Sequence, residues 1–260
     1  MTTRPSGREA RAGFGLVADA YERGRPDYPP ALVGRLVDLL GEQPRPRVLD
    51  LGAGTGKLTR RLTARGLEVV AVEPERAMRD RLAGTTPGAD VLDGVAEAIP
   101  LPDRSVDGAV AAQAFHWFRP DEALVELHRV LRPGGRLALV WNVRDVEIGW
   151  VRRLGRMVEA LAGDVPRYRS GTLPAAFRRT RLFGPVRHER FRHVQVMDLA
   201  AVRDRVASVS YVAAAPAAVR DALLADVDHL MATDRGTRGR DRFELPYVTD
   251  LWWADRVGVT

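Results

Sequence analysis

A chain of 260 residues, of which 45% are hydrophobic, is long enough to bury the core of one elaborated domain. It contains no cysteine, which excludes a disulfide framework, a thiolate metal site and a cysteine nucleophile. The net charge of +6 comes from arginines spread along the chain, with Lys57 as the single lysine, and this lack of clustering argues against a nucleic-acid partner.

From the sequence we expect neither a membrane span nor an export signal. No apolar run reaches the roughly 18 to 20 residues that a bilayer span needs. Residues 1–15 are polar and contain arginine where a signal peptide would have an apolar block. We therefore expect a cytoplasmic protein with no membrane partner.

The first clear elements are a strand, a glycine turn and a helix. Residues 48–51 form a short apolar strand, and residues 57–65 carry Leu58 and Leu62 one helical turn apart. Gly66 stands where the C-terminus of a helix favours a left-handed residue. This order is typical of the first half of a parallel crossover unit.

Strands and helices continue to alternate up to Asn142. Residues 67–72 and 106–112 read as strands, and Asp121 is expected to cap a helix with an apolar stripe. Residues 133–135 then turn the chain into a strand at 137–141. Beyond Asn142, helical stretches at 150–161 and 215–231 flank a strand-like run at 186–196, and another strand-like run follows at 243–253.

The glycine turn points to a ligand held against the main chain. Glycine allows positive φ and close approach, and a helix N-terminus offers unpaired N–H groups. The spacing Gly52-x-Gly54-x-Gly56 followed by Lys57 differs from the G-x-G-x-x-G of dinucleotide-binding turns. Glu73 ends the second strand about 20 residues later, where a carboxylate can accept both ribose hydroxyls. Each feature alone also occurs without a ligand, but together they favour an adenosine-bearing molecule.

Several ordered motifs resemble one family. The segments VLDLGAGTGKLTRRL, VVAVEPERAM, DGVAEAIPLPDRSVDGAV, AQAFHWF and ELHRVLRPGGRLALVWN are similar to successive motifs of class I S-adenosylmethionine-dependent methyltransferases of the type 11 group. The likeness covers roughly residues 12–142. It implies an α/β fold with a Rossmann-like, seven-stranded, mostly parallel sheet, in which the run at 243–253 inserts antiparallel between its neighbours.

The resemblance also implies a division of the chain. Residues 1–45 would form an N-terminal helical segment, and residues 46–145 the cofactor-binding core. Residues 146–260 would supply a C-terminal helical lid over the substrate and the last two strands of the sheet.

By the same resemblance, S-adenosylmethionine is the expected cofactor. Its methionyl part would lie near Asp50, Gly52, Ala53 and Gly54, and its amine near the carbonyls of Gln113 and Ala114. Its ribose would lie near Glu73 and Pro74, and its adenine near Ala96 and Glu97. Many relatives have an aspartate where this chain has Val95. We therefore expect backbone groups and apolar contact to hold the adenine.

The N-terminal segment VADAYERGRPDYP is similar to an element of the same group. Tyr21 and Arg25 lie four residues apart in it, so one helical face could present a phenol and a guanidinium together. An arginine fork suits a carboxylate, and the cofactor carries one on its methionine moiety. The alternative is a surface arginine beside a packed tyrosine.

His116 is the candidate catalytic residue. It follows the fourth strand at the edge of the sheet where such folds bind ligands, so it could act as a base or orient the substrate. The alternative is a structural ring packed among its aromatic neighbours. Further candidates for substrate contact are Trp117, Trp141, Asn142 and Arg144.

The other histidines are not expected to bind metal. His128 lies on an apolar helix stripe and is expected to be satisfied within the core. His188, His193 and His229 have no neighbouring ligand pattern, so no metal site is predicted.

The predicted function is methyl transfer to a small-molecule acceptor, with the biosynthesis of a natural product as one setting. A sulfonium methyl donor needs little acid or metal assistance, so the protein mainly has to position the reactants. One alternative is a non-methylating protein that keeps the cofactor pocket as a scaffold or for a rearrangement. A nucleic-acid methyltransferase is disfavoured by the missing cysteine and the missing Asn/Asp-Pro-Pro-Tyr loop. The sequence leaves the acceptor atom and the oligomeric state open.

Overall fold

The computed structural model describes residues 22, 24–41, 43–165, 168 and 175–258 of the chain. Its helices are α1 (Pro30–Leu40), α2 (Lys57–Thr63), α3 (Arg76–Thr85), α4 (Pro120–Val130), α5 (Gly149–Glu159), α6 (Ala175–Arg179), α7 (Leu199–Ala207), α8 (Ser210–Ala213) and α9 (Ala217–Thr233). Its strands are β1 (Arg47–Leu51), β2 (Glu68–Val72), β3 (Ala89–Leu92), β4 (Val106–Ala112), β5 (Leu131–Arg144), β6 (Arg187–Met197) and β7 (Phe243–Asp255).

The strands form one sheet in the order β3-β2-β1-β4-β5-β7-β6. The pairs β2/β3, β1/β2, β1/β4 and β4/β5 are parallel. Hydrogen bonds from Arg256 N–H to the Gly135 carbonyl and from Asp145 N–H to the Pro246 carbonyl show that β7 runs antiparallel to β5. The predicted fold is confirmed, including the insertion of the last strand between β5 and β6.

Helix α1 covers part of the hydrophobic core. It begins with Pro30 in its first turn, where the missing N–H is not needed, and it ends at Gly41. Leu32, Leu36 and Leu40 recur every four residues and are buried in a cluster with side chains of the parallel strands. Burying each such side chain contributes about 1.5 to 3 kcal/mol, so this core firmly positions the strands whose ends carry the site.

Two predicted boundaries are wrong. Helix α4 has Pro120 in its first turn and Arg119 at its N-cap, which leaves Asp121 in the first turn beside the positive end of the helix. Strand β5 begins at Leu131, and the predicted turn at 133–135 lies within it. The register shifts there, because Val106 pairs with Leu131 whereas residue 108 already pairs with residue 136. The glycine-rich segment therefore forms an irregularity inside the strand.

The contacts divide the chain into two compact units. The core unit comprises Asp27–Asn142, Tyr168–Phe191 and Thr249–Thr260, and the second unit comprises Met1–Pro26, Val143–Arg167 and Arg192–Val248. The units interleave along the chain. No helix that the structure describes is both long and apolar enough to cross a membrane.

Candidate active site

The order of the sheet places the candidate site at its carboxyl edge. From β1 the chain adds β2 and β3 on one side, and then β4 and β5 on the other. Because β1 and β4 are parallel neighbours, the loops that follow them leave the sheet at the same edge and diverge. Such a reversal opens a crevice in which doubly wound folds bind ligands.

The three glycines after β1 differ in what surrounds the position of a Cβ atom. All three have positive φ, at 72° for Gly52, 59° for Gly54 and 83° for Gly56. A Cβ on Gly52 would lie 2.6 Å from the Cβ of Ala114, and one on Gly56 would lie 2.8 Å from Cγ of Leu82. A Cβ on Gly54 would meet nothing within 4 Å. Packing within the protein explains the outer two glycines, and Gly54 faces open space that a ligand can fill.

Glu73 is fixed against the glycine turn. Its Oε2 accepts the N–H of Gly54 at 2.9 Å and its Oε1 accepts the N–H of Glu75 at 3.0 Å. The side chain is buried, and this burial raises the pKa of Glu73, while the two backbone donors act in the opposite direction. The two backbone donors therefore fix the orientation of the carboxylate.

Asp50 anchors the turn to α2. It is 1% exposed, and its Oδ2 accepts a hydrogen bond from the hydroxyl of Thr59 at 2.7 Å. Burial raises the pKa of Asp50 to about 6, assisted by the negative charge of Glu73 and opposed by Thr59. Asp50 and Glu73 thus form a pair of neighbouring buried acids beneath the glycine turn.

Arg79 links two loops of the crevice, and the sequence analysis missed it. Its Nη1 donates to the carbonyls of Glu73 at 2.9 Å and Pro74 at 2.6 Å, and its Nη2 donates to Oδ2 of Asp93 at 3.0 Å. The loop after β2 is thereby joined to the loop after β3. The sequence gives one sign of this role, because Arg79 is a basic residue in the helix that follows the acidic Glu73 at the end of β2.

The loop after β3 contains the residues predicted to lie near adenine. Ala96 is buried, whereas Val95 is 42% exposed. Oε1 of Glu97 accepts the N–H of Arg119 at 2.6 Å, which ties the loop to the start of α4. Val95 and Ala96 are both apolar, and adenine binding by this loop stays a prediction.

Gln113 adopts an uncommon conformation directly after β4. Its φ is 57°, although it has a side chain. Its N–H donates to the Val140 carbonyl at 2.8 Å, and its Nε2 donates to the Asn142 carbonyl at 3.0 Å. The next residue, Ala114, is buried, and its carbonyl accepts the N–H of Trp117 at 2.8 Å. Backbone strain of this kind costs about 1 to 3 kcal/mol and is common at ligand sites.

The ring of His116 is oriented by Trp141. The indole Nε1 of Trp141 donates to Nδ1 of His116 at 3.2 Å. An indole N–H can only donate, so Nδ1 is the acceptor and neutral His116 carries its hydrogen on Nε2. Trp141 is itself 1% exposed and stacks on Tyr168, with ring centroids 4.0 Å apart.

The buried acid Asp250 holds the tyrosine of this stack by a hydrogen bond. The hydroxyl of Tyr168 donates to Oδ2 of Asp250 at 3.0 Å and accepts the indole N–H of Trp252 at 2.8 Å. Asp250 is fully buried, and its Oδ1 bonds Nε2 of His188 at 2.8 Å and Nε of Arg190 at 3.0 Å. His188 thus belongs to a structural network. Within the described residues, no group of three or more His, Asp or Glu side chains could hold a metal ion.

Comparisons with known proteins give the family of the chain. A family model described as a methyltransferase domain matches residues 49–139. An uncharacterized methyltransferase of Mycobacterium tuberculosis is 46% identical over 244 residues, which cover 94% of this chain and 96% of the relative. An uncharacterized methyltransferase-like protein of Schizosaccharomyces pombe is 34% identical over 241 residues, 92% of this chain and 93% of the relative.

A solved structure from Anaeromyxobacter dehalogenans, proposed to be a type II methyltransferase, has a TM-score of 0.64 and 27% identity. The match covers 89% of this chain and 97% of that one. The chain belongs to the class I S-adenosylmethionine-dependent methyltransferases. The type 11 resemblance found in the sequence is thereby confirmed.

The core unit of this methyltransferase contains most of the predicted site residues. They are Asp50, Gly52, Ala53, Gly54, Glu73, Pro74, Ala96, Glu97, Gln113, Ala114, His116, Trp117, Trp141 and Asn142. Arg25 and Arg144 belong to the second unit, where Nη2 of Arg25 donates to the Ser208 carbonyl at 3.3 Å. Tyr21 lies outside the described residues. His128 is satisfied as predicted, with Nε2 2.8 Å from the Val257 carbonyl.

Proposed function

We propose that this methyltransferase binds S-adenosylmethionine in the core unit and methylates a small-molecule acceptor. The observation that carries the proposal is the pairing of Glu73 with Gly54, a fixed carboxylate beside a main-chain turn that has open space above it. Bound S-adenosylmethionine supplies an electrophilic methyl group. The protein has to hold the two reactants in a productive orientation, which can be worth about 7 to 11 kcal/mol.

The cofactor residues divide the binding task. Glu73 accepts the ribose hydroxyls with the lone pairs that its two backbone donors leave available. Val95 and Ala96 provide an apolar edge for adenine, and Arg79 keeps that loop aligned with the ribose loop. Asp50 acts through its hydrogen bond to Thr59, because this bond fixes the glycine turn against α2.

His116 is best suited to orient the acceptor. With Nδ1 accepting from Trp141, neutral His116 carries its hydrogen on Nε2, and this N–H is the group that we assign to the acceptor. Service as a base at Nε2 would require the other tautomer and the loss of the Trp141 hydrogen bond. We assign Trp141, first considered for substrate contact, to positioning His116, since it is buried. Trp117, half-buried beside His116, remains a candidate for contact with the acceptor.

The charge distribution favours a small acceptor over a nucleic acid. Many arginines are neutralised by carboxylates within the protein, for example Arg129 by Glu126 and Arg132 by Asp107. Paired guanidinium groups offer little attraction to a phosphate backbone. A nucleic-acid methyltransferase would need a free basic face.

Binding and transfer can be measured separately. Isothermal titration with S-adenosylhomocysteine should show binding by the wild-type protein. Methyl-labelled S-adenosylmethionine and a panel of small phenols, amines, acids and their amides then test for transfer by mass spectrometry. Binding together with transfer supports the proposal. Binding without transfer to any compound favours the scaffold alternative, and no binding at millimolar ligand rejects the cofactor site.

A further inference from the structure

Two arginines of the second unit, Arg144 and Arg205, are at least half-buried and form no salt bridge with a carboxylate of the described residues. Arg205, on α7, is 6% exposed, and Arg144, at the end of β5, is half-buried. Nε of Arg205 donates to the hydroxyl of Tyr247 at 3.1 Å. The Nη1 atom of each arginine is buried and has no hydrogen-bond partner in the part of the chain that the structure describes.

Other arginines of the same unit are paired. Arg153 forms a salt bridge with Asp234, and Arg203 forms one with Asp228. Arg192 lies 3.7 Å from a carboxylate oxygen of Asp145. The unit therefore uses carboxylates to neutralise arginines that are more exposed than Arg205. Arg144 and Arg205 instead adjoin tyrosines, and the one carboxylate that acts on Arg144, the exposed Glu159, has the smallest effect.

Arg144 and Arg205 have Tyr247 as a common neighbour. Arg205 donates to its hydroxyl, and the hydrogen bond from Asp145 N–H to the Pro246 carbonyl sets Arg144 opposite Tyr247 across the β5/β7 pair. Burial lowers the pKa of Arg144, and the positive charge of Arg205 lowers it further, with Tyr247, Tyr211 and, least of all, Glu159 acting in the opposite direction. Both tyrosines are buried. Like charges withdrawn from water destabilise a fold unless an opposite charge joins them. An anion held between the two arginines would remove this penalty and satisfy their unpaired N–H groups.

The N-terminal segment reaches the same helix. A Cβ on Gly24 would lie 2.7 Å from the backbone of Arg205, so the chain there packs directly on α7. Arg25 follows and donates to the carbonyl of Ser208, one residue beyond the end of α7. This contact brings a further guanidinium to the helix end that carries Arg205.

We infer that Arg144 and Arg205 bind an anionic ligand through a carboxylate or a phosphate group. Paired guanidinium forks match the oxygens of these groups. The residues that carry the inference, Arg144, Arg205 and Tyr247, all belong to the second unit. The inference goes beyond the proposed function, because it adds an anion site that cofactor binding does not require.

The unliganded protein tests the anion site without any catalysis. We expect its melting temperature to rise by about 4 °C or more in succinate or inorganic phosphate, compared with chloride at equal ionic strength or with uncharged succinamide. The relative effects of succinate and phosphate distinguish a carboxylate from a phosphate group. An equal melting temperature in all four additives would overturn the inference, and this result needs no variant.

Substitutions locate the effect. R205M and R144M should abolish the response to the anions, and R205M should melt higher than wild type in chloride because it removes an uncompensated buried charge. R156M, at an exposed arginine of α5, is the matched control and should keep the full response. Retention of the anion response by R205M and R144M would contradict the inference. If one of these variants does not fold, the other and the wild-type titration decide.

Ligand comparison separates this site from the cofactor's own carboxylate. Wild type should bind both S-adenosylhomocysteine and methylthioadenosine, which lacks the amino-acid part, and the arginine variants should keep both affinities within about twofold. Selective loss of S-adenosylhomocysteine binding would assign the arginines to the cofactor and overturn the inference. Failure of wild type to bind either compound would instead reject the proposed function.

Discussion

The indole N–H of Trp141 and Nδ1 of His116 lie 3.2 Å apart in a hydrogen bond whose direction is fixed, because indole has no acceptor. This contact distinguishes an orienting histidine from a catalytic base. If His116 donates from Nε2, H116N should retain part of the activity, since an amide also donates, and H116A should lose about 100-fold in kcat/KM. Steady-state kinetics with an acceptor that the wild-type protein methylates give kcat/KM for both variants. Equal losses in the two variants would indicate a base.

The same contact predicts the effect of W141F. Phenylalanine keeps a ring to stack on Tyr168 but removes the N–H that orients His116. We expect kcat to fall about tenfold, consistent with the loss of one hydrogen bond. The affinity for S-adenosylhomocysteine, measured by titration calorimetry, should not change. A loss of cofactor affinity in W141F would show that the stack supports the crevice as a whole.

Glu73 should determine cofactor affinity through its negative charge. E73Q retains the shape of the side chain but replaces a carboxylate oxygen with a donor, facing backbone N–H groups that also donate. We expect the Kd for S-adenosylhomocysteine to rise about 10- to 100-fold, the range for hydrogen bonds to a charged group. E75Q, two residues further on, is the matched control and should bind normally. Identical Kd values for the two variants would show that Glu73 does not bind the ribose.

Asp50 should make the fold less stable as pH rises. Its pKa is about 6 in the folded protein against 3.8 for an ordinary aspartate, so between pH 4 and 6 the folded state binds more protons than the unfolded state. The free energy of unfolding therefore falls with rising pH across this window, by up to about 3 kcal/mol, and levels off above it.

The variant D50N isolates this contribution. Asparagine can still accept the Thr59 hydroxyl but has no charge to bury. The difference in free energy of unfolding between D50N and wild type, from urea titrations, should grow in favour of D50N from pH 4 to pH 7. A difference that does not vary with pH would show that Asp50 does not titrate in this range.

The glycines of the turn should respond differently to alanine. G52A forces a Cβ to within 2.6 Å of Ala114 and should lose about 3 kcal/mol of stability. G54A meets no protein atom, so it should lose only about 1 kcal/mol but should bind S-adenosylhomocysteine at least tenfold more weakly. G66A has similar positive φ and open surroundings at the end of α2, and it controls for backbone strain. Normal binding by G54A would place the ligand elsewhere.

The sequence was informative where a feature is local. The glycine turn, Glu73 at a strand end and His116 after β4 follow from strand periodicity and turn chemistry, and the structure places them on the loops at the carboxyl edge of the parallel strands. The insertion of β7 came from family resemblance, because strand pairing over such a distance leaves no local pattern.

Contacts between distant residues were not predictable. Trp141 reaches His116 from 25 residues away, and Arg79 could have paired with any nearby acid on its helix. A pattern shows which face of an element is apolar, but it does not show which partner a polar group selects. For the same reason Gly52 and Gly54 look alike in the sequence, although one is packed and the other is open.

The position of β7 also affects how the chain folds during its synthesis. Strand β5 ends at Arg144, and the strand that covers its free edge begins roughly 100 residues later, at Phe243. At about 5 to 20 residues per second, a ribosome needs about 5 to 20 seconds to supply it. During that interval β5 is an exposed edge that can pair with the nascent chain of a neighbouring ribosome. Slow translation between these strands should therefore favour aggregation, and a chaperone that shields β5 should prevent it.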